Sequence, residues 1–154
     1  MEIFLVNSAT EEHSILESRL REARILNPAR AFASGEECLA ALKLQQAMNP
    51  SNASLVLLDL STSPEDGLTL LRQVRECLLN VKALFIMIST LSDLKFISRG
   101  YQLGAKTFLI KPVKIEDLIA TFKAMHSHLH LDLSSAGSFL RWGPKKLSYA
   151  HSRA

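Results

Sequence analysis

Polar residues stand directly after apolar runs at four places in this chain. They are Asn7-Ser8 after Ile3–Val6, Asp59 after Leu55–Leu58, Ser89-Thr90 after Ala83–Ile88, and Lys111 after Thr107–Ile110. A carboxylate, a hydroxyl and an ammonium gathered at one place make a recognisable set. The carboxylate of Asp59 is a nucleophile, the Ser89 hydroxyl can hold an oxygen of a phosphoryl group, and Lys111 can neutralise its charge.

What must position these side chains is an alternation of strands and helices. Five apolar runs read as strands: Ile3–Val6, a weaker Ala29–Ala33, Leu55–Leu58, Ala83–Ile88 and Thr107–Ile110. Between and after them, apolar residues recur at helical spacing: Ile15, Leu16, Leu20; Leu39, Leu42, Ala47; Leu68, Leu71, Val74; Leu94, Ile97, Leu103; and Leu118, Ile119, Phe122, Met125, Leu129. Ser8-Ala9-Thr10-Glu11 and Ser34-Gly35-Glu36-Glu37 both fit capping boxes, and Asn27-Pro28 is expected to end or follow the first helix. Strict alternation of this kind implies an α/β fold: a doubly wound five-stranded parallel sheet, a flavodoxin-like (βα)5 three-layer sandwich. Ligands of such sheets collect at the carboxyl ends of the strands, where the polar residues above are found.

Composition narrows the rest. At 154 residues, 47% hydrophobic and 21% charged, the chain is long enough for one domain with a full core and is unlike disordered or disulfide-scaffold sequences. The longest apolar stretch, Ala83–Ile88, falls far short of the roughly 18 residues of a membrane span, and no secretory leader follows Met1, so a cytoplasmic protein with no membrane partner is expected. Cys38 and Cys77 read as reduced, packed thiols. Arg141, Lys145, Lys146, Arg153 and Asp132 lie beyond residue 130, leaving 14 charges of each sign before it. The net +3 therefore belongs to the C-terminal end, and no nucleic-acid partner is implied. Residues 1-130 are expected to form the domain and 131-154 a partly flexible tail, with Phe139 and Trp142 packing back on the body or, alternatively, forming a small partner-binding anchor. His126, His128 and His130 read as solvated residues near a helix end rather than a metal site, and His13 as a surface residue. Gly100 and Gly104 lack the context of a nucleotide-binding loop.

The order Leu57-Leu58-Asp59-Leu60, then Gly67 eight residues after the Asp, Ser89, and Gly104-Ala105-Lys106-Thr107-Phe108-Leu109-Ile110-Lys111-Pro112 resembles the receiver domains of two-component response regulators, the CheY-like superfamily. The likeness runs from Ile3 to about Leu129. It implies that Asp59 accepts a phosphoryl group, that Ser89 binds one of its oxygens, that Lys111 pairs with the phosphoaspartate, and that Phe108 is the aromatic switch residue. It also implies a cis Lys111-Pro112 peptide and a Mg2+ ion held by Asp59 and the Ser61 backbone. The family's acidic pair after the first strand is replaced here by Asn7-Ser8. Removing two carboxylates from around a divalent cation costs severely, since one unit charge pair at 4 Å contributes about 4 kcal/mol at an effective dielectric of 20. Weak Mg2+ binding is the expectation; Glu11 or Glu12 could swing in as a replacement ligand, but helix geometry makes Glu11 the cap partner of Ser8, and that rescue is not expected. Implied partners are a sensor histidine kinase or phosphotransfer protein, a downstream protein, and a second copy docked through the face near Ile97, Tyr101 and Lys106. The resulting expectation is a stand-alone receiver and no enzyme. Its rivals are a pseudo-receiver that binds partners without phosphorylation, and a phosphohydrolase using Asp59, for which Leu60-Ser61 offers no second carboxylate.

Overall fold

The five apolar runs become strands β1 (Glu2–Val6), β2 (Ala29–Phe32), β3 (Ser54–Asp59), β4 (Ala83–Ser89) and β5 (Thr107–Ile110) in the computed structural model, which describes residues 1–61, 63–77 and 80–146. They pair in parallel in the order β2-β1-β3-β4-β5. Five helices connect and follow them: α1 (Thr10–Glu22), α2 (Gly35–Met48), α3 (Pro64–Cys77), α4 (Ile97–Gln102, entered through a 3-10 turn at Leu91–Phe96) and α5 (Ile115–Ala124). This is the predicted flavodoxin-like architecture.

The pleat sorts each strand's residues between two layers. Ile3, Leu5, Leu55, Leu57, Ile86, Ile88 and Leu109 pack against Leu16 and Leu20 of α1 and Leu118 and Phe122 of α5. Phe4, Val6, Val56, Leu58, Phe85 and Met87 pack against α2, α3 and α4 through Leu39, Leu42, Leu68, Leu71 and Ile97. All residues of β3 are consequently buried, which is why its apolar run shows no alternation. At the sheet edge, β2 is largely exposed, and its Arg30 guanidinium lies 5.0 and 5.1 Å from the Phe4 and Phe32 ring centres. A charge there discourages pairing with another chain.

Helix ends agree with the sequence in one case and differ in another. Ser34 caps α2, its hydroxyl accepting from Glu37 N at 3.2 Å. The N-cap of α1 is Ala9 rather than Ser8, because the Asn7 side-chain oxygen takes the Ala9 N–H at 2.7 Å and Ser8 faces solvent. Of the two placings of Asn27-Pro28 the second holds, since the pair lies in the loop beyond α1. Arg24 adopts φ 59, and Ile25 N–Leu20 O and Arg24 N–Arg21 O, both 2.9 Å, close the helix in a Schellman arrangement.

The C-terminal segment departs most from expectation. Residues Leu129–Leu133 (β6) and Ser138–Trp142 (β7) form an antiparallel hairpin, so the boundary drawn at 130 falls inside a strand. Residues 147–154 lie outside the described residues. The hairpin is fastened to the α1–β2 connection by a parallel bridge between Ile25 and Ser138, with Leu26 N–Ser138 O and Ser138 N–Arg24 O both 2.8 Å. The Asn27 side chain donates to Met1 O and Leu140 O and accepts from Leu140 N. Leu129 and Leu140 are the residues that enter the core, whereas Phe139 and Trp142 are 37% and 38% exposed. Parity explains Phe139, which takes the face opposite to Leu140, whereas Trp142 shares the parity of Leu140 and is exposed as the last residue of β7. Two further expectations are corrected: His13 is buried and Cys77 is exposed; Ile97, expected near the dimer face, is buried. The histidine cluster does not share one helical face, because α5 stops at Ala124 and His130 lies in β6 with Nδ1 2.9 Å from Gly143 O.

Candidate functional site

Strand parity decides which side chains meet at the carboxyl rim of the sheet. Asn7, Asp59 and Lys111 continue the alternation of Ile3 and Leu5, Leu55 and Leu57, and Leu109, the positions that face α1 and α5. They converge. Lys111 Nζ lies 2.6 Å from Asp59 Oδ2, and the Asn7 amide nitrogen donates to the same oxygen at 2.6 Å. Asp59 Oδ1 accepts from the Ser61 backbone N–H at 2.8 Å and from the Ser61 hydroxyl at 2.5 Å. That hydroxyl in turn accepts from Lys111 Nζ at 2.8 Å. Asp59 is thus surrounded by four donors while only 5% exposed. Buried charge of this kind is tolerable only because it is paired and hydrogen-bonded on both oxygens.

Ser89 takes the other parity, that of Phe85 and Met87. It sits at the end of β4, one residue beyond the Ile88 that is registered with Asp59, but its buried hydroxyl donates to Thr90 O at 2.9 Å. Thr90 Oγ1 bonds Asp93 Oδ2 at 2.8 Å in the turn that follows. Phe108 is half-buried in β5 with its ring edge-to-face against Tyr101, centroids 6.4 Å apart. The peptide between Lys111 and Pro112 is cis.

Two contributions differ from the sequence reading. Ser61 was singled out for its backbone, yet its hydroxyl bridges the acid and the amine. Glu12, one helical position past the Glu11 assigned to a cap, places Oε2 3.4 Å from Lys111 Nζ. Of the two acids weighed in the first turn of α1, Glu12 is the one that reaches the rim, and it meets the amine rather than a metal position. Asp66 in the first turn of α3 lines a recess of about 10 Å3 with Asn7, Ser8 and Asp59, and its carboxylate accepts from Gly35 N at 3.1 Å. Such a recess holds about one water molecule. Among the described residues no group of three or more potential metal ligands is gathered.

Comparison with known proteins agrees with this fold. The model of the response regulator receiver domain matches residues 3–123. The transcriptional regulatory protein GltR of Pseudomonas aeruginosa is 31% identical over 123 residues, 80% of this chain and 48% of that protein. A probable chemotaxis protein CheY of Rhizobium etli is 35% identical over 75 residues, 49% of this chain and 58% of its own. The chain spans about half or less of the length of most curated relatives it matches. Among solved structures, a response regulator receiver domain from Rhodospirillum rubrum superposes with TM-score 0.63 at 26% identity, covering 81% of this chain and 90% of that one. The chemotaxis protein CheY4 of Vibrio cholerae shares the fold, with TM-score 0.62 at 21% identity over 80% of this chain and 96% of its own.

Proposed function

This chain belongs to the response regulator receiver domain family of two-component signalling, and from that premise we propose that Asp59 is its phosphoacceptor and that its Mg2+ site is weak. Receiver domains are in general signalling modules that engage histidine kinases and downstream proteins; no helix among the described residues is long and apolar enough to cross a membrane. The observation that carries the reading is the Lys111 ammonium 2.6 Å from the Asp59 carboxylate at the rim where strands β1, β3 and β5 end. The donor would be a sensor histidine kinase or a phosphotransfer protein in the cytoplasm. An Asp59 oxygen attacks the phosphorus as the bond to the donor imidazole breaks, the imidazole keeps the electron pair, and an acyl phosphate remains. Lys111 moves from the free carboxylate to the new phosphoryl oxygens, and Ser89 would have to turn from Thr90 O to reach one. The exposed Tyr101 and Lys106 stand on the face proposed for a homodimer.

The side chains do not fit a tightly held Mg2+. Asn7 points an N–H donor at Asp59, and its only oxygen already accepts from Ala9 N. Glu12 faces Lys111 and Asp66 holds Gly35 N, so neither carboxylate is directed at Asp59. A hard cation prefers several carboxylate or water oxygens in octahedral array. Labelling by a small acyl phosphate donor, with and without Mg2+, tests both parts. Slow labelling that disappears in Asp59→Asn and responds little to Mg2+ is expected; rapid stoichiometric labelling at low Mg2+ would refute the weak site.

A second reading is favoured by the four donors already on Asp59: a pseudo-receiver that recognises partners without phosphorylation. Absence of labelling even from a histidine-phosphorylated transfer protein would select it. Glu12 brings a second carboxylate near Asp59, which a phosphohydrolase would need, but it is turned to Lys111. Turnover of a generic phosphate ester would revive that alternative.

A further inference from the structure

We propose that the groove between the C-terminal ends of α1 and α5 and the β6–β7 hairpin docks a segment of a partner protein that carries apolar anchors flanked by acidic side chains. The groove encloses about 410 Å3, inside the roughly 300–1,000 Å3 range of binding clefts. Its floor is the apolar edge of the core, Phe122 and Leu129, and Leu133 stands at its lip 76% exposed. Its rim is basic: Lys123, His126 and Lys145 line it, and among the described residues no Asp or Glu does. Among the described residues neither lysine has a carboxylate within ion-pair distance, whereas Arg141 on the same hairpin is paired with Asp132 at 2.6 Å.

Charge chooses the occupant. The chain before residue 131 is formally neutral and the surplus of +3 lies beyond it, where Lys145 joins Lys123 of α5 at the rim of the groove. An acidic segment approaching it is steered and held in register by the rim, while apolar side chains at i, i+3 and i+4 of a helix fill the floor. The chain's own residues 147–154 suit it poorly, because they include His151 and Arg153 and neither Asp nor Glu. The cleft is open along one side, so an acyl chain laid in it would stay partly in water, whereas a helix needs only one face covered. The groove runs from Ile119, one turn into α5, to the hairpin and shares no lining residue with the contacts of Asp59, so binding here does not depend on the chemistry of Asp59.

A randomised peptide library panned against the full-length protein tests this, followed by fluorescence anisotropy of the enriched peptides. Enrichment of sequences combining Asp or Glu with Leu, Ile or Phe is expected. Their affinity should fall about tenfold in the Lys123→Glu/Lys145→Glu double variant and also weaken with added salt. Leu133→Asp should weaken them as well; all these positions are on the surface, and an unchanged melting temperature would verify folding. Enrichment of neutral or basic peptides, equal binding to the double variant, or no enrichment at all would overturn the proposal. So would dodecanoate binding the groove while every selected acidic peptide binds elsewhere by amide chemical-shift mapping.

Discussion

Replacing Asn7 by Asp probes the metal argument directly. In the native protein the Asn7 amide donates to Asp59 Oδ2 at 2.6 Å, and the two residues are 2% and 5% exposed. The substitution removes that hydrogen bond, worth about 1 kcal/mol, and sets two carboxylates against each other. At a separation near 4 Å and an effective dielectric of 20 the repulsion is about 4 kcal/mol, and Lys111, bonded to the same oxygen, offsets roughly half of it. A net loss of about 3 kcal/mol follows, which for a chain of 154 residues lowers the melting temperature by about 6–12 °C in EDTA. Mg2+ should reverse this, since a ligand at one hundred times its dissociation constant restores about 2.7 kcal/mol. Thermal unfolding of both proteins in EDTA and in a millimolar Mg2+ series makes the comparison. The native protein should shift by no more than about 2 °C, the variant by several times that. An equal shift in the two proteins, or a variant as stable as the parent in EDTA, would refute the claim that Asn7 weakens the site.

Other perturbations address the frame around the site. Gly137→Ala would place a Cβ 2.7 Å from Arg24 O at φ +156, so a loss of about 1–3 kcal/mol in urea unfolding is expected, and no loss would mean the hairpin is not seated as described. Leu140→Ala, at 1% exposure, should cost about 2–5 kcal/mol by the same measurement; a loose tail would give almost none. Burial pushes the Cys38 thiol from 9.0 up to about 12, against a smaller lowering by Arg30. The folded state therefore keeps its proton where the unfolded chain releases one, and stability should decline as pH rises from about 9 towards 12. Urea midpoints across that range, compared with those of Cys38→Ala, should show the steeper alkaline decline in the native protein; parallel curves would remove the thiol as its cause.

Most of the layer architecture was legible because β3 and β4 are covered on both faces, and a strand so covered has little choice but an unbroken apolar run. The acid and the amine were legible too, as polar residues abruptly ending such runs. What stayed hidden depends on non-local partners. Asn27 reads as a turn residue, yet its amide is occupied by Met1 and by Leu140, 113 positions away. Ser8 has the spacing of a capping box, but Asn7 captures the Ala9 N–H and moves the helix start by one residue. His13 carries a polar ring on the buried side of α1, with Nε2 lacking a hydrogen-bond partner among the described residues, a cost that residue type alone argues against. The hairpin strands are short, with only Leu129 and Leu140 buried among their residues, too weak a period-two signal to recognise without its partner.

The bridge from Ile25 to Ser138 has a consequence for the order in which the chain is made. A ribosome delivers α1 and β2 long before β7, so the apolar floor beneath Leu20 and Ile25 must wait, uncovered, while more than a hundred later residues are added. Closing so distant a contact carries a large loop-closure cost and belongs to the late steps of folding. Until Leu140 emerges from the exit tunnel, the nascent chain holds a sticky end that chaperones would be the first to meet.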